Sequence, residues 1–577
     1  MTAFEQFIQD ELPVRPVLLQ HDAISYDGDP NNPSAPPILQ GSPSGTFYLR
    51  GEGTLYQKKT ASPTSWDDLA GGGGGGLEVD ILYSLEPLDF SVDYNDVNAV
   101  DPPAGKVFSS QQEIDDFLSA QSATNFKHIQ PLWDALPVFV FHPITISIAA
   151  GNQRPLASAG NDAFDLTGKY LIQDGTITFT GAAPSTWTDV VAAQTVTSHQ
   201  VLGSGVDRDP WVQVSGTPYP TDGSLKGLFA VLDTGQTCLI HDHDANTLYL
   251  VAKLEPAPTD GVTTVRVCRP STVFQNSTDG STRKSSSGCV NISNDAGTLT
   301  PVSFEHVWFQ SFGATWHVHG SNDNATMRLT LCLFDIAEEF DSLGLTGGRS
   351  IQKSASRYTF LTDVGFRSRY GINDQSPLFF GDAGTIILVH CVMIAGRRTC
   401  YVNNDSFMNT YYCVFEDIGW QAYYDTNAFF YIENNGRWST QYVSGFYEGK
   451  RTTFRAINHP GNAFRAAKCA DPFNLGFTHG VWFEGFQKAV ALLDDTDCDL
   501  SNAGTGGYPG WQNDGAGNAD VGIEIVGGGR KCTLGPGCDV NGTVGDIRLE
   551  GVVASYTDLG PESDPLITNQ LNIVSKD

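Results

Sequence analysis

One short phrase recurs along the middle of this chain and limits the folds open to it. It appears as His306-Val-Trp-Phe309, Leu331-Cys-Leu-Phe334, Asp363-Val-Gly-Phe366, His390-Cys-Val-Met393, Tyr412-Cys-Val-Phe415, Ser444-Gly-Phe-Tyr447 and Gly480-Val-Trp-Phe483. The second position is small or branched and apolar, and the fourth is large: Phe in five cases, Met393 and Tyr447 in the others. Alternate residues of a strand point the same way, so each phrase buries one small and one large side chain together. The large residues follow one another at intervals of 25, 32, 27, 22, 32 and 36 residues. A constant strand phrase at irregular spacing is what a solenoid produces, because insertions collect at its corners. The expected fold is all-β: a right-handed, single-stranded parallel β-helix.

Other repeat classes fit less well. Helical repeats need apolar residues three and four apart, whereas this region has Val, Tyr, Phe and Thr runs broken by Asn, Asp and Gly. Propeller blades would return at a steadier ~40–45 residues. The length of 577 residues is no obstacle, since each coil contacts only its neighbours. Charged residues make up only 17%, while 61 Gly and 30 Pro supply corners. The net charge of −31 argues against nucleic acid or an anionic membrane as partner, and suits an exposed particle surface or a saline habitat. No run of ~18 apolar residues and no opening signal-peptide pattern occurs, so neither a membrane span nor Sec-dependent secretion is expected. Of the 11 cysteines, Cys332, Cys391 and Cys413 hold the small inward position of the phrase and are expected to act as compact core residues.

Taken in order, residues 1–45 are Pro-, Asn- and Asp-rich and read as an extended arm. Residues 46–70 hold two short strands and Trp66, a small β module, and Gly71 to Gly76 form a flexible hinge. Ser110-Gln-Gln-Glu113 is a capping box ahead of Ile114, Phe117 and Leu118, so a short helix is expected within an entrance region, 77–137. Coils are then expected over 138–555, including Tyr170–Phe179, Leu228–Leu232, Thr247–Lys253, Thr263–Cys268 and Val521–Val526, with a closing strand in 556–577.

Two stretches carry a family resemblance. Gly53-Thr-Leu-Tyr-Gln-Lys58 with Thr64-Ser-Trp66 resembles a β module found near the N-termini of tailed-phage virion proteins. The order helix, Leu136-Pro137, Ile144-Thr-Ile-Ser-Ile148, Gly151, Arg154-Pro155 is similar to the entrance of phage tail-spike and pectin-lyase-like β-helices. The resemblance implies a homotrimer on the virion surface of a phage or archaeal tailed virus. Its N-terminus would dock on tail or capsid proteins, and its β-helix would project toward a host surface glycan. No cofactor is expected. The sequence itself shows no coiled-coil heptads that would set a trimer.

Candidate chemistry lies in the residue after each large inward one. Asp335, Glu416, Glu448 and Glu484 would share an outer face about 5 Å apart per coil, with Arg367 and Ile394 between. Two carboxylates at ~5–9.5 Å are the equipment of a glycosidase, so Glu416, Glu448 and Glu484 are candidate catalytic residues of a glycan depolymerase, hydrolase or lyase. The alternative is an acidic ladder neutralised by an arginine such as Arg437 or Arg451. Trp420, Tyr423, Tyr424, Trp438 and Tyr442 are candidates for stacking on sugar rings. His241-Asp-His243 and His317-Val-His319 each place two imidazoles on one strand face, half of a metal site, but the expected metal content is none. Three roles remain open: an adsorption spike or fibre, a depolymerase, and a capsid or tail decoration.

Overall fold

The structure is a computed structural model. It describes residues 86–275, apart from 154–163, 172–174 and 203–208, and beyond them the strands that continue the architecture, with side chains as far as Arg455. Four short strands before residue 70 are also described: Leu18–Gln20, Phe47–Leu49, Leu55–Lys58 and Trp66–Asp68 form one sheet. The last three pair antiparallel as successive hairpin strands, and Leu18–Gln20, from the arm, adds in parallel to Phe47–Leu49.

The main body is a parallel β-helix. A nine-stranded sheet runs from Leu88–Val92 through Ile144–Ile148, Ile177–Thr180, Val302–Glu305, Thr326–Thr330, Tyr358–Thr362, Thr385–Val389 and Phe407–Tyr411 to Arg437–Thr440. Every neighbouring pair in it is parallel. A twenty-stranded sheet supplies the other two strands of each coil, for example Gly365–Ser368 and Leu378–Phe380 after Tyr358–Thr362. The entrance is covered by α1, Gln111–Ala120, and α2, Ile129–Asp134. The Ser110 hydroxyl accepts from the Glu113 N–H at 3.4 Å, and the Glu113 carboxylate accepts from the Ser109 N–H, one residue earlier than a standard capping box. Phe117 and Leu118 of α1 pack on the end of the coil core, where Phe108 and Phe126 are fully buried.

The repeated phrase straddles a corner. Its first residue is not in a strand: His306, Leu331, Asp363, His390 and Tyr412 all have φ between 51° and 61°, the left-handed region that side chains with a Cβ seldom occupy. The turn is held by a ladder in which the N–H of each of the first four donates to the last carbonyl of the next coil's first strand: His306 to Thr330, Leu331 to Thr362, Asp363 to Val389, His390 to Tyr411. The second and fourth residues point inward and are completely buried. Phe309, Phe334 and Phe366 stack with centroids 4.9 Å apart. Phe415 stacks at the same distance on Phe454, not on Tyr447, because the register pairs Val414 with Thr453 and Phe415 with Phe454. The phrase Ser444–Tyr447 lies outside the described residues.

Within one coil, at the corner between Ile177–Thr180 and Thr272–Gln275, the chain leaves the solenoid. Strands Thr188–Gln200, Trp211–Val214, Phe229–Leu232, Thr237–His243, Thr247–Leu250 and Thr264–Arg269 close into a six-stranded antiparallel barrel, while Ile177–Thr180 and Val302–Glu305 pair directly across the insertion. The segments expected as coils at Leu228–Leu232, Thr247–Lys253 and Thr263–Cys268 therefore belong to the barrel. The physical reason is loop length: four residues link Phe229–Leu232 to Thr237–His243 and three link that strand to Thr247–Leu250, which suits hairpins and is too short for the crossover a parallel pair needs.

The barrel sits on the outer face of the coils. Trp308, Leu333, Val392 and Val414, the outward third residues of the phrase, are buried against it together with Phe360, Ile387 and Ile394. At Gly365 the approach is so close that a Cβ would overlap the carbonyl oxygen of Gly227, whose own φ is +77°. Gly365→Ala is expected to destabilise the barrel contact by about 1–3 kcal/mol, the range for overpacking. Urea unfolding would check this; an unchanged midpoint would mean that the two backbones do not meet there.

Candidate functional site

Where barrel meets coil corners, charged groups that would be expensive to bury alone are brought together. Lys226, just ahead of the barrel strand Phe229–Leu232, reaches Glu416 at 2.6 Å and Asp242 at 3.0 Å. Arg455 of the next coil reaches Asp242 at 3.1 Å and Glu416 at 3.4 Å. Two cations and two carboxylates thus close a ring across the junction, and Arg367 adds a bond from its guanidinium to the Ser224 carbonyl at 2.7 Å. Burial pushes the Glu416 carboxyl above its ordinary range, against the pull of Lys226 and Arg455. Burial also acts on the more exposed Asp242, but there Lys226 and Arg455 prevail and hold it below. A buried ring of this kind adds little net stability by itself and fixes one way of docking.

Barrel and coils also meet at a cavity of about 230 Å³, lined by Gln236, Thr237, Ala252, Lys253 and Glu255 of the barrel and by Asp363 and His390 of the coils. Asp363 and His390 are the left-handed corner residues of adjacent coils, so the turn itself aims them at the barrel. The His390 Nδ1 lies 3.6 Å from the Asp363 Oδ1. Gln236 braces the barrel rim, donating to the Lys253 carbonyl and accepting from the Glu255 N–H, and Lys253 pairs with Glu255 at 3.1 Å. Three buried polar atoms of these residues have no hydrogen-bond partner: Thr237 Oγ1, Asp363 Oδ1 and His390 Nε2. Such orphans are rare in native proteins and call for a cause. Burial raises the Asp363 carboxyl to about 7 and lowers the His390 imidazole to about 4, so both favour their neutral forms.

The expected carboxylate column is not a column of like charge. The register after the large inward residues runs Asp335, Arg367, Ile394, Glu416, Arg455, Glu484. Arg455 stands beside Glu416 in the place expected for Glu448, which itself lies outside the described residues. Like charges directly opposite on parallel coils repel, and the interposed arginine removes that repulsion. Glu416 is 3% exposed beneath the barrel and not on an open face. Glu484 is on the strand Val481–Leu493, opposite Arg455. Trp438 is on Arg437–Thr440, paired with Met408, while Trp420, Tyr423, Tyr424 and Tyr442 lie outside the described residues. His241 and His243 are barrel residues; His241 is buried 3.3 Å from Asp209, and His243 accepts from the Leu225 N–H. His317 and His319 lie on the strand Trp316–Gly320. Among the described residues no three His, Cys, Asp or Glu side chains are grouped to hold a metal ion.

Sequence reasoning missed Asp363 and His390 as site residues because it read the first position of the phrase as strand. It also missed the barrel as their cover. A signal was available: apolar residues at the third position as well as the second and fourth mean that the outer face is not solvated.

No protein-family model matches the chain, and no curated protein matches it in sequence. Among solved structures it is similar to the tailspike gp61 of Pseudomonas phage phi297, at 9% identity over 82% of this chain and 74% of that one, with a TM-score of 0.26. It is similar to XylC in complex with xylose, at 9% identity over 81% and 76%, TM-score 0.25. It is also similar to the Gp54 tailspike of Acinetobacter baumannii bacteriophage AP22 in complex with A. baumannii capsular saccharide, at 8% identity over 83% and 82%, TM-score 0.22.

Proposed function

We propose that this chain is a structural protein of a virion surface, a tail spike or fibre or a head spike, that adsorbs to host surface glycan. The reading has it docked on tail or capsid proteins by its N-terminal region and assembled as a homotrimer. The observation that carries it is the polar cavity at the foot of a barrel seated on the flank of a coil stack. A solenoid is a rigid extended support, and a domain inserted at a corner of one coil is held out from the stack without interrupting it. Ligand sites favour concave junctions between domains where a few polar groups converge. The net charge of −31 keeps such a surface soluble and disfavours anionic partners. Trp420, Tyr423, Tyr424, Trp438 and Tyr442 extend the proposal as stacking residues for further sugar rings.

The test is incubation of the full-length protein with polysaccharide from candidate hosts, followed by sedimentation and chain-length analysis. Intact glycan retained on the protein is expected. Fragmentation would replace adsorption by depolymerisation, and absence of both retention and cleavage would leave a decoration protein.

A further inference from the structure

We propose that the face of the coils' third strands that lies opposite the core is an interface between copies of this chain packed side by side, with Phe379, Tyr401 and Tyr431 at its centre. The inference rests on the homo-oligomer reading and gives it a surface. The strand register carries it. Leu378–Phe380, Cys400–Val402 and Phe430–Glu433 are third strands of successive coils, and they pair Phe379 with Tyr401 and Tyr401 with Tyr431. Cys400 and Val402 are completely buried in the coil core. Alternation along the strand places Tyr401 on the other face, and parallel pairing places Phe379 and Tyr431 there with it. Three aromatic residues thus hold one register position on three neighbouring coils, ~4.8 Å apart.

The column continues in both directions. His319 and Gln352 hold the same position on the two preceding coils and Arg465 on the following one, so no Asp or Glu stands in these six registers. Charge then selects the partner. Copies of a chain with a net charge of −31 repel one another over an acidic surface and can approach where acid is missing. The cores of interfaces between proteins are rich in Phe, Tyr and Arg and poor in Asp, Glu and Lys, which is the composition found here. A sheet face offers no concavity of the kind small ligands favour, and Phe379 has no polar group for a sugar. A second copy therefore fits this column better than a glycan does.

Geometry sets what meets what. The barrel covers outward residues of the first two strands of the coils, Phe360 and Ile387 on the first and Leu333 and Val392 on the second, and so is seated on other strands than the column. Copies that all dock by their N-termini are related by rotation about an axis along the solenoid, and each level of the column then faces the same level of its neighbour. A carboxylate in the column would oppose itself. Tyr401 instead meets Tyr401, and aromatic rings attract one another beyond the area they bury. A single acid introduced at that level is repeated in every copy at the centre of the interface, where truncations and charges cost most.

The experiment is light scattering and native mass spectrometry of the full-length protein, unaltered and as Tyr401→Asp and Tyr431→Asp, with Thr195→Asp on the exposed barrel strand as control. The unaltered protein and the control are expected at a multiple of 62.3 kDa, and both column variants at the mass of one chain. Should an aspartate variant fail to fold, Tyr401→Cys decides. A bis-maleimide is expected to join residue 401 of one copy to residue 401 of the next, giving a doubled band on a denaturing gel that neither the unaltered protein nor Thr195→Cys gives. A multimer that persists in both aspartate variants, or a multimer without a link at residue 401, would overturn the face and spare the assembly. A single-chain mass for the unaltered protein would overturn both. Loss of polysaccharide retention in Tyr401→Asp with the mass unchanged would give the column to glycan and overturn the proposal.

Discussion

Replacing Glu416 with alanine is expected to destabilise the barrel junction by about 3–5 kcal/mol, the range for removing one partner of a buried ion pair. The carboxylate is 4% exposed and is touched by both Lys226 and Arg455, whose side chains are only 16% and 15% exposed. Its loss leaves two buried cations sharing the single carboxylate of Asp242. Hydrogen exchange should quicken across residues 188–269 before it does so in the coil core, because the ring fastens the barrel and not the Phe stack. Removing a charge of each sign, as in Lys226→Met with Glu416→Leu, leaves the Arg455–Asp242 pair balanced and is expected to recover most of the loss. Equal destabilisation in the single and double variants would mean that packing, not charge balance, holds the barrel.

Asp363 and His390 are expected to impose opposite pH dependences that cancel in the unaltered protein. The Asp363 carboxyl titrates at about 7 when folded against 3.8 ordinarily. Between those values the folded chain keeps a proton that the unfolded chain has released, so this group's contribution falls as pH rises, by up to about 4 kcal/mol. The His390 imidazole titrates at about 4 when folded against 6.5 ordinarily. There the unfolded chain holds the extra proton, and stability rises with pH, by up to about 3 kcal/mol. Over pH 4 to 6.5 the two slopes offset each other. Asp363→Asn should expose the rising slope and His390→Gln the falling one, read from urea midpoints at pH 4.5 and 6.5. Flat profiles in both variants would show that neither group is held neutral by burial.

Much of the fold was legible because the coil core obeys a local rule. Val307 with Phe309, Cys332 with Phe334 and Cys413 with Phe415 are inward pairs that a period of two reveals without knowledge of the partner strand. The capping box of α1 was legible for the same reason, being set by residues three apart. What escaped depends on partners distant in sequence. Ser444-Gly-Phe-Tyr447 imitates the phrase, yet Phe454 takes the register position above Phe415, and nothing local distinguishes the two. That slip alone created the column of Glu416, Glu448 and Glu484, since the true neighbour of Glu416 is Arg455. The barrel strands were seen as strands, but their direction is written in loops of three and four residues, a cue weaker than the strand pattern itself. The candidate site was the least legible part. Asp363 and His390 gain their setting only when Gly227 and Gly365 let the barrel close over the coil corner.

We propose that glycan is read at the junction of barrel and coils. The most direct test is hydrogen exchange of the full-length protein with and without retained polysaccharide. The expected result is slowed exchange in Gln236–Glu255 and at the corners around Asp363 and His390, with the coil core unchanged. Glycan retained with protection confined to other segments would contradict the claim.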